Sequence, residues 1–102
     1  MKAKPYRLAA TEYTPCEPSE ATHVELHMPG PLDFRMIPVG PGLEPRWDWN
    51  GDTESPTLSP SILTRGGRSH ICHSFVRNGK VEFLSDCTHE FAGQTVDLLE
   101  VE

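Results

Sequence analysis

Between His70 and His89 the chain reads HICHSFVRNGKVEFLSDCTH and gathers three of its five histidines and two of its three cysteines. Thiolates and imidazoles are the donors that a borderline-soft divalent ion such as zinc selects. An Asn78-Gly79 pair stands near the middle of the run. Asn-Gly favours a two-residue type I′ turn, because both central residues need positive φ. The pair therefore predicts a hairpin with Arg77 opposite Lys80, Cys72 opposite Ser85 and His70 opposite Cys87. Side chains alternate faces along each strand. His70, Cys72, Cys87 and His89 then share one face at the open end of the hairpin, while His73 and Asp86 take the other.

Directly opposed Cβ atoms lie ~5 Å apart and diagonal ones ~7 Å, separations that zinc–sulfur bonds of ~2.3 Å and zinc–nitrogen bonds of ~2.0 Å can bridge. Two thiolates offset the ion's double charge, so the site is neutral and can be buried. A one-residue slip or a bulge would instead bring His73 to the ligand face and remove Cys72. His70, Cys72, Cys87 and His89 are the ligand set that the shared face favours, with His73 as the reserve ligand. Four protein ligands would make a structural zinc; three would leave a position for water and support hydrolysis. Buried thiols with scattered surface histidines are the plainer alternative.

Chemistry without a metal has weaker support. Cys72 or Cys87 could act as a nucleophile with a nearby histidine oriented by Asp86, but adjacent Cys72 and His73 point to opposite faces of a strand. Trp47 and Trp49 could line a ligand groove, or fill the core. Asp52 and Glu54, set among hydroxyls, read as turn chemistry. No G-x-S-x-G elbow, phosphate loop or dinucleotide fingerprint occurs. Cys16, flanked by prolines, reads as an incidental thiol, and His23 and His27 as solvated outward positions.

The elements that must position these groups are short. Thr22 to Met28 alternates, with Val24, Leu26 and Met28 inward. Further short strands are expected at Asp33 to Pro38, at Arg46 to Trp49, at Ile62 to Arg65 and at Gln94 to Val101. Residues 52 to 61, with two prolines, read as an extended surface segment excluded from a central sheet strand. Ten prolines, eight glycines and 36% apolar content suit short strands and frequent turns, and no segment holds a capped 3.6-residue period. The expectation is an all-β fold: a small β-sandwich or open barrel of six or seven short strands with a β-hairpin in its C-terminal half. Residues 1–20 are expected as an N-terminal arm, partly packed by Tyr6, Leu8 and Tyr13, and residues 21–102 as a single β domain.

At 102 residues a chain buries one modest core, and a metal staple would help it. The net charge of −6 disfavours phosphate-backbone binding, so nucleic acid is not an expected partner. No stretch approaches the ~18 apolar residues of a membrane span, and MKAKPYRLAATEYTP lacks the apolar region of a secretory signal. An odd cysteine count speaks against a disulfide framework.

The runs WDWNGDTESPTLSPSIL, ICHSFVRNGKVEFLSDCTHE and AGQTVDL resemble a family of small proteins of unknown function from phages and prophages. The resemblance covers about residues 45 to 99 and touches CEPSEATHVEL. It implies a cytoplasmic protein in an infected bacterium and a shared motif of Cys72, His73, Cys87 and His89; set beside the face argument, this makes Cys72, Cys87 and His89 the expected ligands and leaves the fourth place open between His70 and His73. The resulting expectation is a zinc-binding accessory protein that acts through a host or phage protein, the zinc being mainly structural. A metal-dependent hydrolase with His73 or Asp86 as base is the enzymatic alternative, and a metal-free binding module is the third.

Overall fold

The computed structural model describes residues 1–30, 34–66 and 70–101, and the side chain of His70 lies outside that description. The described residues form nine strands: β1 (Lys4–Ala9), β2 (Glu12–Pro15), β3 (His23–His27), β4 (Phe34–Pro38), β5 (Asp48–Trp49), β6 (Leu58–Gly66), β7 (His70–Arg77), β8 (Lys80–Phe83) and β9 (Thr95–Asp97). Among the described residues a 3₁₀ turn, Pro18–Glu20, is the other regular element. Two antiparallel sheets result, ordered β2-β1-β3-β4 and β5-β6-β7-β8-β9. They do not close into a barrel.

One core joins the sheets. Val24, Leu26, Met28 and Ile37 face it from the first, and Leu58, Ile62, Cys72, Val76, Val81 and Phe83 from the second. The alternation in β3 works as its pattern demands: Val24, Leu26 and Met28 are fully buried. Ser74 is also fully buried and spends its hydroxyl on Met28 Sδ across the layer, 3.9 Å away. Residues 1–20 contribute β1 and β2 to the first sheet, with β1 paired to β3 through Lys4↔Glu25, Pro5↔Val24 and Tyr6↔His23. His23, on the outer side, is covered rather than solvated. It is 9% exposed, meets the Tyr13 ring edge-on at 5.1 Å and has Nδ1 2.9 Å from Thr22 Oγ1.

The hairpin forms at its Asn-Gly tip. Asn78 and Gly79 both have positive φ, 52° and 75°, as a type I′ turn requires. Arg77↔Lys80, Val76↔Val81, Phe75↔Glu82 and Ser74↔Phe83 pair in the expected register. The ladder then stops. Leu84 donates to His73 O, the chain turns with Cys87 N–H on Leu84 O, and Thr88 donates to Ile71 O. Ile71, expected opposite Asp86, thus meets Thr88, and Cys72 meets Cys87 rather than Ser85. The turn absorbs an even number of residues, and only an odd slip would have reversed the faces.

The segment before β6 departs from expectation. Leu58 to Ser61 opens β6, which lies inside its sheet between β5 and β7. Pro60 is accommodated because the β6–β7 register shifts between Leu58 and Ile62. At such a bulge the ladder is already interrupted, so a missing N–H costs no bond. Asp52 behaves as turn chemistry: its carboxylate accepts from the N–H groups of Glu54 and Ser55 at 2.8 and 3.0 Å.

Candidate active site

Beyond the bulge, Leu63 pairs with His73, so both side chains stand on the outer face of the second sheet. Ser61, two residues before Leu63, takes the same face. Its Oγ is 3.0 Å from His73 Nε2. On the far side of the ring, His73 Nδ1 is 3.1 Å from Asp86 Oδ2. Strand β6 supplies the serine, β7 the histidine and the turn after β8 the aspartate.

The chemistry of the aspartate orders the protons. An ionised carboxylate only accepts, so Nδ1 carries a proton and, in the neutral ring, Nε2 presents its lone pair to Ser61. The serine hydroxyl therefore donates to Nε2. This is the hydroxyl–imidazole–carboxylate arrangement that recurs on unrelated folds and is recognised by geometry and roles rather than by local sequence. The site is open: the His73 and Asp86 side chains are 26% and 58% exposed. Trp47 packs against the core and donates its indole N–H to Ser61 O at 3.3 Å, holding the backbone at Ser61. Trp49 also packs against the core and donates to Asp52 O.

The opposite side of the same strand holds a second constellation. Ligand atoms of Cys72, Cys87 and His89 all lie within 4.8 Å of one another. Cys72 and Cys87 are 2% and 8% exposed. Of the residues singled out by sequence, these three come together. His73 does not join them, since its ring is turned to Ser61 and Asp86, and the His70 side chain lies outside the described residues. Cys16 follows β2 and precedes the 3₁₀ turn, and belongs to neither constellation.

Burial and a neighbouring cation act against each other in this inner cluster. Burial pushes the Cys72 thiol up, and the neighbouring Arg35 guanidinium opposes that shift. Arg35 is 7% exposed; its Nη1 donates to Phe34 O, while Nε and Nη2 are buried without a partner among the described residues. Phe91 N–H donates to His89 Nδ1 at 3.2 Å, which leaves the proton of a neutral ring on Nε2, and that buried atom has no partner either. The donor set, two thiols and an imidazole, can hold a metal ion.

The two constellations touch at one sulfur. Cys87 Sγ accepts from His73 N–H at 3.2 Å and donates to His73 O at 3.1 Å.

Ser61 is the member of this hydrogen-bonded line that motif reading passes over. No elbow surrounds it, and its prolines argue for a surface segment. The available signal was the placement of His73 and Asp86 together on the outer hairpin face, which invites a hydroxyl from a neighbouring strand. Among the described residues, no helix is long and apolar enough to cross a membrane.

No curated protein and no solved structure matches the chain. One family does, described as bacterial ubiquitination-like system serine protease (BubE), over residues 15–84. Ser61, His73 and Cys72 fall within the matched stretch; Asp86, Cys87 and His89 lie beyond its end. The match spans about two thirds of the chain, and the chain belongs to the BubE family.

Proposed function

We propose that this protein is a serine hydrolase, with Ser61 as nucleophile, His73 as general base and Asp86 as the group that orients the base. The observation that carries the reading is the continuous hydrogen-bonded line from Ser61 Oγ through both ring nitrogens of His73 to Asp86 Oδ2. Ser61 Oγ would attack an acyl carbon while His73 Nε2 takes its proton. The imidazolium, stabilised by Asp86, would return that proton to the leaving group, and water would then release the acyl chain from Ser61. The family's description as a serine protease of a ubiquitination-like system points to a polypeptide as substrate. The open outer face suits a protein chain better than an enclosed small molecule. In the phage setting that the resemblance implies, a host or phage protein would be substrate rather than binding partner.

The inner cluster has its own reading within this proposal. Zinc is the ion that two thiolates and an imidazole fit best. Its role would be structural, because both sulfurs are buried and the candidate bases His73 and Asp86 serve Ser61 on the other face. Three protein ligands leave one tetrahedral position for water or a further side chain.

The test is labelling with a fluorophosphonate, which loses fluoride as a serine oxygen bonds to phosphorus. Wild-type protein should be modified on Ser61, and Ser61→Ala and His73→Ala should not react. Modification of other serines at equal rate would refute the assignment.

A further inference from the structure

We infer that a metal ion bound by Cys72, Cys87 and His89 controls the competence of the Ser61–His73–Asp86 line while never meeting substrate. The inference rests on the hydrolase reading and adds regulation of that same site.

The argument begins with Asp86. The β7–β8 ladder ends at Ser74↔Phe83, so Asp86 rides on a turn outside the sheet. What ties this turn to β7 is a short set of bonds: Leu84 N–H on His73 O, Thr88 N–H on Ile71 O, Ile71 N–H on Thr88 Oγ1, and the paired contacts of Cys87 Sγ with His73. Asp86 immediately precedes Cys87. Whatever fixes the Cys87 sulfur therefore fixes both His73, through its backbone, and the carboxylate that orients its ring.

As a neutral thiol, Cys87 grips His73 weakly, since S–H donates and sulfur accepts poorly. An ion bridging Cys72 and Cys87 would replace that grip with two coordinate bonds between strand and turn. It would also deprotonate the thiols. The bond from Cys87 S–H to His73 O is then lost, but that oxygen keeps Leu84 N–H at 2.9 Å. The bond from His73 N–H becomes one to an anionic sulfur and strengthens.

Two independent observations call for this occupant. Arg35 is a buried cation beside Cys72, and its Nε and Nη2 have no hydrogen-bond partner among the described residues. Buried guanidinium N–H groups left without acceptors are costly, and metal-bound thiolates would supply the acceptors. His89 Nε2 is a buried polar atom without a hydrogen-bond partner among the described residues. Coordination through Nε2 would move the ring proton to Nδ1, at the expense of one 3.2 Å bond from Phe91 N–H. Cys87 is thus a positioning residue for a reaction it does not touch.

The experiment uses the full chain with cobalt(II) as a spectroscopic substitute. Metal-stripped protein is titrated with cobalt while three signals are followed: sulfur-to-cobalt charge-transfer absorption, the folded fraction by circular dichroism, and the rate of fluorophosphonate labelling at Ser61. The expected result is thiolate–cobalt absorption saturating at one equivalent, with labelling rising at least tenfold in step with it at constant folded fraction. Cys72→Ser should weaken cobalt binding and shift the labelling curve by the same factor. Labelling independent of cobalt, or following the folded fraction alone, overturns the control. Absence of thiolate–cobalt absorption overturns the metal site. Normal cobalt absorption with no labelling in any form overturns the hydrolase reading and the control with it, and leaves the metal site standing.

Discussion

Asp86→Asn separates a catalytic role for the carboxylate from a structural one. The amide offers an N–H toward His73 Nδ1, which would then accept, and the ring proton would move to Nε2. Nε2 would point a donor at Ser61 Oγ and lose its function as base. General base assistance contributes about 10²–10⁴-fold in rate. Asp86 is 58% exposed, so water competes for Nδ1 and the reactive tautomer stays accessible; the expected loss is therefore at the lower end, about 10²- to 10³-fold, or roughly 3–4 kcal/mol of barrier. The same exposure makes the pair a minor contributor to folding, at about 0–1 kcal/mol. The assay is the second-order rate of fluorophosphonate labelling, read with a urea unfolding curve and the ¹⁵N shifts of the His73 ring. A variant that labels within threefold of wild type with an unchanged His73 tautomer would refute the role given to Asp86. A variant whose stability collapses along with its reactivity would refute the separation.

Three further outcomes follow from the geometry. Leu26→Ala empties a fully buried position in β3 and should cost about 3 kcal/mol in urea denaturation; a loss under 1 kcal/mol would contradict the single shared core. Gly79→Ala forces a Cβ onto a residue at φ 75°, within 3.2 Å of Glu54 O and 3.3 Å of Ser55 Cα, and should lower stability by about 1–2 kcal/mol, measured as a reduced melting temperature. Burial depresses the His23 pKa below its ordinary 6.5, so the folded chain holds this ring neutral where the unfolded chain would protonate it. Its contribution to stability is complete above about pH 6.5 and falls as pH drops toward the folded value. His23→Gln should flatten the stability difference between pH 7 and pH 5.5, and an unaltered slope would contradict the burial effect.

Much of this architecture is legible in local sequence. The alternation of Val24, Leu26 and Met28 names the inner face of β3, because a half-buried strand has a period of two. Asn78-Gly79 names the hairpin tip and its register from Arg77↔Lys80 to Ser74↔Phe83, because positive φ at both positions leaves few other turns. Strand alternation places Cys72 and His73 on opposite faces of the hairpin before any coordinates are known. These rules do not say where the ladder ends. The turn from Leu84 to Cys87 shifts Cys72 from Ser85 to Cys87, and because the shift is even the cysteine face survives it.

Ser61 belongs to another order of information. Its partnership with His73 depends on the pairing of β6 with β7 and on a bulge at Pro60 that resets their register. Neither the choice of neighbouring strand nor the position of a bulge is encoded within a few residues, since both are decided by which apolar faces close over the shared core. Composition and turn chemistry therefore determined that this chain is a small β protein with thiols and imidazoles converging beneath a hairpin. Only the tertiary structure decided that the histidine turned away from those thiols would meet a serine from the next strand and an aspartate from the turn.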